Sequence, residues 1–383
     1  MATRRGTPDL LAMTTLGFSG YALLLPVSPL WAAHGGAGAA GSGAVNGVLM
    51  LFTVLTQPLL PRLIRRWGWG PVLVTGVVLL GIPSMGHLLS DGLALTLALA
   101  AVRGVGFGIL TVTGSAAVAE LAPPERRGRS IGAYGLAIAA PQLLLLPAAP
   151  WVAETFGFWV VFVAGACPLL GALPAFALGR TLDSPSRQPH GPAAGAAGAG
   201  YLPLVRPVTL LLGVTLAGGA LLTFIPQVTS SATLTMIGLL VLTATAALSR
   251  WRFGALADRH GVRPFLATLV LLTTAGMITI AWAVRDPSDT GAAALVVGMA
   301  MVGTCYGGLQ NLTLVAVFQV VPRRHYGMAS AVWNMGFDAG TGLGAVVVGM
   351  IAAGTSFTNA LLVAALLSLS TLPVALWRGA AKR

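Results

Sequence analysis

Read along its hydropathy, the chain is a succession of apolar runs, each of about twenty residues, separated by short polar segments. A helix rising ~1.5 Å per residue crosses a hydrocarbon core of about 30 Å in that many residues, so each run predicts one membrane-spanning helix. The twelve spans are placed near Leu10 to Trp31, Gly43 to Pro61, Pro71 to Ser90, Leu93 to Leu121, Ser130 to Ala149, Gly157 to Leu178, Val205 to Ile225, Thr233 to Arg250, Pro264 to Val284, Gly291 to Val320, Met328 to Met350 and Ala360 to Trp377. Strands are excluded, because a lipid-facing barrel strand alternates apolar and polar residues and these runs do not. The predicted fold class is an all-α membrane protein, with 12 transmembrane helices in two pseudo-symmetric six-helix bundles.

Composition strengthens this picture. Of 383 residues, 56% are hydrophobic and 8% charged, where a soluble domain carries about a quarter charged. A net charge of +12 could signal nucleic acid, but the basic residues sort by side of the membrane. With loops alternating from an internal N-terminus, every Lys and Arg except Arg103 and Arg285 falls on the inner side, among them Arg4, Arg5, Arg126, Arg127, Arg129, Arg323 and Arg324. This positive-inside distribution puts both termini in the cytoplasm and leaves no basic patch for nucleic acid. Arg4 and Arg5 imitate a secretory signal, but the run behind them is too long and reads as an uncleaved first helix. Cys167 and Cys305 are isolated, and the His residues at 34, 87, 190, 260 and 325 share no helical face, so no metal centre or disulfide framework is expected.

The chain repeats itself. A polar island at Gly254-Ala255-Leu256-Ala257-Asp258-Arg259-His260-Gly261-Val262-Arg263 reads as a turn between the eighth and ninth spans. A weaker copy, Pro61-Arg62-Leu63-Ile64-Arg65-Arg66-Trp67-Gly68, lies half a chain earlier, with Gly68 matching Gly261 and Arg66 matching Arg259. Leu23-Leu24-Leu25-Pro26 likewise matches Thr223-Phe224-Ile225-Pro226, and Pro124 to Gly128 loosely matches Pro322 to Gly327. Duplication accounts for these pairs. The longest connection, Gly179 to Leu204, has the Ala, Gly and Pro-rich composition of a flexible linker. The expected organisation is an N-terminal six-helix bundle over 1–178, a flexible cytoplasmic linker over 179–204 and a C-terminal six-helix bundle over 205–383.

The spacing Gly-x-x-x-Asp-Arg-x-Gly-x-Arg at 254–263 resembles the loop signature between the second and third helices of each half in the major facilitator superfamily of transporters. With six plus six helices and a central linker, the resemblance covers nearly the whole chain. It implies that superfamily's fold, in which two bundles rock about a site near the midplane. Arg103-Gly104-Val105-Gly106-Phe107-Gly108 resembles the fourth-helix arginine motif of its proton-coupled members. The drug:proton antiporter branch, which the chain also resembles, carries a Gly-Pro pair followed by paired glycines in the fifth helix, and Ala140-Pro141-Gln142-Leu143-Leu144 keeps only the proline. The resemblance further implies a cytoplasmic gate formed by Gly254, Asp258, Arg259, Gly261 and Arg263 with Arg62, Arg65, Arg66 and Gly68. In it Asp258 caps the inner end of a helix, while Arg65 stands where the N-terminal copy would carry its acid, so that latch has lost its carboxylate. Glu120 and Glu125 lie on the same side and read as solvated or salt-bridged loop acids.

Ionisable groups deep in hydrocarbon point to function. Arg103 lies ten residues into the fourth span and Asp338 ten residues into the eleventh, each roughly 15 Å deep at ~1.5 Å per residue. They are read as a proton-coupling charge pair, with structural roles for either as the competing reading. Asn334, Asp338 and Thr341 fall on one helical face, which therefore turns away from lipid. Further polar residues gather on the second span (Asn46, Thr53, Gln57), the fifth (Gln142), the seventh (Thr223, Gln227) and the tenth (Tyr306, Gln310, Asn311, Thr313). With Phe224, Trp333 and Phe337 they predict a neutral, amphipathic substrate cavity, though helix-to-helix hydrogen bonds compete as the explanation for any one of them.

No Gly-x-x-x-x-Gly-Lys loop offers nucleotide as the energy source, and the midplane offers no nucleophile and base at workable spacing. The chain is therefore expected to be no enzyme but a secondary transporter without cofactor, with the proton as coupling ion. Its expected partners are a small-molecule substrate and the lipid bilayer, with no nucleic acid, and it is expected to act as a monomer. Export of small amphipathic compounds is the reading; import of a small metabolite and a non-transporting sensor are the alternatives. The excess of arginine over lysine, with abundant Ala and Gly, fits a GC-rich bacterial genome and hence a bacterial cytoplasmic membrane.

Overall fold

The structure, a computed structural model, describes residues 2–121, 127–184, 202–229, 231–322 and 325–377. Glu125, Arg126, Arg323, Arg324 and most of the expected linker lie outside the described residues. All regular structure among the described residues is helical, and 12 helices are long and apolar enough to cross a membrane. The spans are Gly6–His34, Ala39–Trp67, Trp69–Gly86, Leu93–Leu121, Ser130–Phe156, Phe158–Leu182, Leu202–Val228, Ala232–His260, Arg263–Ala283, Asp289–Gln319, Tyr326–Gly354 and Phe357–Leu376. The protein is an all-α, twelve-span membrane protein.

Several helices outrun their apolar segments. The eighth continues through the polar island to His260, and the second, after a 3-10 turn at Gln57–Leu59, continues to Trp67. Hydropathy marks where the bilayer ends, whereas the backbone hydrogen-bond ladder extends into the polar zone. The predicted turns therefore shrink to Gly68 in the first copy and to Gly261 and Val262 in the second. Gly68 has φ 79 and ψ 174, and Gly261 has φ 75 and ψ 175. That region of backbone space is open essentially to glycine alone. Three helices of the second half start on a serine cap, with Ser231 Oγ accepting from Leu234 N at 3.1 Å, Ser288 Oγ from Gly291 N at 3.4 Å and Ser356 Oγ from Asn359 N at 3.2 Å.

The chain divides into two compact units, Met1–Ala37 with Ala44–Pro192, and Gly38–Gly43 with Ala193–Arg383. Inside the first unit the first span packs on the fifth, the third on the fourth and the third on the sixth. Inside the second the seventh packs on the eleventh, the ninth on the tenth and the ninth on the twelfth. These are the same pairings six helices on, which is what duplication of a six-helix unit produces. The first and seventh spans are the most enclosed of their units.

Candidate functional site

Asp338 is 5% exposed, near the middle of the eleventh span. Its depth in the bundle follows from the glycines around it. A Cβ at Gly340 would sit 2.0 Å from Thr215 Oγ1, and one at Gly344 2.0 Å from the Leu216 carbonyl oxygen, so the seventh and eleventh backbones meet almost directly. The two polar residues predicted beside Asp338 are engaged along their own helix: Asn334 Nδ2 donates to Ser330 O at 2.9 Å and Thr341 Oγ1 to Phe337 O at 3.0 Å.

From the tenth span Tyr306 reaches this place. Its hydroxyl adjoins Thr341 and Gln310 and lies within electrostatic reach of Asp338 and Arg250. Arg250 Nη2 donates to Gln310 Oε1, and Asn311 Nδ2 donates to the Arg250 carbonyl at 3.1 Å. The sequence reading put Arg250 at the inner end of its span. Because the helix continues to His260, Arg250 sits roughly 15 Å along it from that end at ~1.5 Å per residue. Its side chain keeps its exposure there, while Gln310 is buried. A carboxyl, a phenol, an amide and a guanidinium thus follow one another across the eleventh, tenth and eighth spans. Beside them runs an aromatic strip: Trp333 stacks on Phe337 and Tyr306 meets Phe337 edge-on, each at 5.9 Å, with Trp333 Nε1 donating to Thr313 Oγ1 at 3.0 Å.

Arg103 is wholly buried in the first unit, and Nη1 donates to Ser28 Oγ at 3.3 Å. It and Asp338 belong to different units, and each has its own surroundings. Polar residues predicted to line a cavity here make hydrogen bonds to backbone carbonyls. Asn46 Nδ2 donates to Leu25 O at 3.0 Å, and Thr53 Oγ1 to Leu49 O at 2.8 Å and Gly104 O at 3.1 Å. Both are buried, as is Gln57. Gln142 Nε2 donates to Ile138 O at 3.3 Å and stays half-buried.

In the second unit Thr223 is buried, Oγ1 donating to Gly219 O at 2.7 Å, and the buried Phe224 packs on Phe357 at 5.3 Å. Gln227 lies at the far end of the seventh span, lining a depression with Thr229, Asp286 and Ser288. There the Ser288 side chain and backbone amide hold the Asp286 carboxyl below its ordinary value.

Residues of the expected gate occupy helix ends. Arg62, Arg65, Arg66, Asp258, Arg259 and Arg263 are exposed, and Gly254 lies against Asn311. Asp258 stands in the last turn of the eighth helix with its side chain exposed. Beside the N-terminal copy a different acid caps a helix start. Asp183, just past the sixth span, accepts from Trp69 N at 2.9 and 3.1 Å on its two oxygens and from Gly70 N at 3.2 Å, capping the third span. In the second unit Arg206 donates to the Val374 and Ala375 carbonyls at 3.1 and 3.2 Å, closing the inner end of the twelfth span with the opposite charge. Neither residue stood out in the sequence, since each is one ordinary charge at a span end.

The family model described as Major Facilitator Superfamily matches residues 10–251 and 208–383. A stretch of 115 residues is 29% identical to an uncharacterized MFS-type transporter of Mycobacterium tuberculosis (strain ATCC 25618 / H37Rv), covering 30% of this chain and 20% of that protein. The chain thus spans about a fifth of the length of that curated relative. Among solved structures, a bacterial homologue of the human lysosomal transporter Spinster, in its inward-facing and unoccupied conformation, superposes with a TM-score of 0.73 at 16% identity over 98% of this chain and 95% of that one. The nucleoside transporter NupG does so with a TM-score of 0.69 at 15% identity over 97% of this chain and 100% of that one.

Proposed function

Because the chain belongs to the Major Facilitator Superfamily, and is a membrane transporter of that type, we propose that it couples proton movement to the export of small amphipathic compounds by alternating access. The observation that carries this is Asp338, a buried carboxyl at mid-span beside Tyr306 and an aromatic strip. An ionisable group at that depth is costly and is retained where it works. In the proposed cycle Asp338 gives up its proton as solute enters from the cytoplasm and regains one from outside. Tyr306 and Gln310 hold the polar end of the site, Arg250 supplies a countercharge when the proton has left, and Trp333 and Phe337 take the apolar part of the solute. The protein works as a monomer in a bacterial cytoplasmic membrane, with the proton as its coupling ion and no other cofactor.

The test is proton movement in proteoliposomes carrying a pH-sensitive dye, challenged with a panel of amphipathic compounds, with empty liposomes as the control. Compound-triggered flux in the wild type that is lost in Asp338→Asn supports the reading. Equal movement of compound with and without the carboxyl overturns it. A second reading, proton-coupled import of a small metabolite, draws support from the fold shared with a nucleoside transporter and from the reduced motif around Pro141. The direction of proton flux separates the two.

A further inference from the structure

Arg103 is the largest wholly buried side chain, yet its Nε and Nη2 have no hydrogen-bond partner. A guanidinium taken out of water without an anion is strongly unfavourable. No carboxylate of the described residues acts on it, and its aromatic neighbour Tyr21 is a phenol stacked on Phe107 at 3.9 Å.

A second unsatisfied group lies close by. His87 is wholly buried, with Nδ1 3.0 Å from the Pro83 carbonyl oxygen and Nε2 without a partner. A carbonyl only accepts, so Nδ1 carries the hydrogen and Nε2 of the neutral ring is a bare lone pair. The third and fourth spans pack with Gly106 on Leu80 N and Gly86 on Leu99, which sets Arg103 level with Pro83. The His87 ring stacks on Phe162 at 4.9 Å, and Phe162 meets Trp31, one turn from Ser28, at 5.3 Å. The charge of Arg103 is felt at His87. Other titratable groups on neighbouring elements are Tyr21 and the exposed His34 of the first span, Cys167 of the sixth and Asp91 in the connecting turn.

Two guanidinium donors and one imidazole lone pair complement a carboxylic acid. We propose that Arg103 and His87 hold the head of a small carboxylic acid, its carboxylate on Arg103 Nε and Nη2 and its proton on His87 Nε2. The acid's O–H bond breaks, its electron pair stays on oxygen, and the proton moves to nitrogen, so uptake into the site changes no net charge. This site is separate from Asp338 and is tested without transport, so its failure leaves that reading untouched.

The experiment uses the purified full-length protein in nanodiscs. Acetate and benzoate are titrated at constant ionic strength, with methanesulfonate as a similar anion that brings no proton, following Tm and proton uptake in weakly buffered solution. The expected result is a saturable Tm rise with proton uptake for both carboxylates. Arg103→Gln loses both responses, while His87→Gln loses proton uptake and binds about tenfold more weakly. Arg103→Lys, which keeps the charge without the fork, restores part of the Tm rise and shows that loss in the Gln variant is not misfolding. A rise of equal size with methanesulfonate, a carboxylate response that survives Arg103→Gln, proton uptake that survives His87→Gln, or no response to either carboxylate overturns the proposal.

Discussion

The Asp183 carboxylate closes on the Trp69 amide at 2.9 Å, joining the far end of the sixth span to the first turn of the third. The repeated loop carries Arg65 and no acid there, and the start of the third span is capped by a carboxylate from the sixth. Asp183→Ala removes a cap on an exposed helix start, and a loss of about 1 kcal/mol is expected. Thermal unfolding in detergent measures it. Asp183→Asn, which keeps an acceptor oxygen, loses less.

Thr53 tests whether the buried polar residues of the second span serve solute or structure. Thr53→Val keeps the shape and removes the bonds to Leu49 and Gly104. Such bonds in membranes average about 0.6 kcal/mol. The variant is expected to lower Tm slightly and leave the set of transported compounds unchanged in a competition assay.

Tyr306→Phe deletes the hydroxyl that adjoins Gln310 and Thr341 within electrostatic reach of Asp338. A hydrogen bond between neutral groups contributes about 0.5–1.5 kcal/mol. Coupled proton flux is expected to fall by up to about tenfold, with about 1.4 kcal/mol per factor of ten. The protein folds as before, which the aromatic circular dichroism of the strip around Trp333 reports.

Gly344→Ala places a methyl 2.0 Å from the Leu216 carbonyl. The seventh and eleventh helices must part, at a cost of about 1–3 kcal/mol. Gly327→Ala meets open space and is expected to leave Tm unchanged.

Asp286 provides the pH dependence. Its folded pKa lies below the ordinary 3.8 because Ser288 donates to the ionised form. Its contribution to the order of this exposed turn is present above the unfolded pKa and is lost as pH falls through the folded one. Ser288→Ala moves the pKa back up toward the ordinary value, which a carboxyl NMR titration reads directly.

The twelve spans were legible because burial in lipid requires long apolar runs, whatever the detailed packing. Helix ends were not, since Gly254 to His260 is polar enough to read as a turn while its backbone still pays no penalty for remaining helical. Asp338 and Arg103 could be found from charge alone, but not their neighbours, because Ser28, His87 and Tyr306 meet them only through packing. Asn46 and Thr53 look alike in sequence whether they bind a solute or a neighbouring carbonyl. Asp183 was invisible for a further reason: its partner is a backbone amide, which has no letter of its own.

Gly68 and Gly261 share one backbone conformation in two places. The heading at which the third and the ninth helix each leave their predecessor is therefore written twice by the same omission, a hydrogen where every other residue carries a carbon. Half of this protein's repeat could drift in nearly every side chain and still re-enter the membrane along the same line, provided that one atom stayed missing.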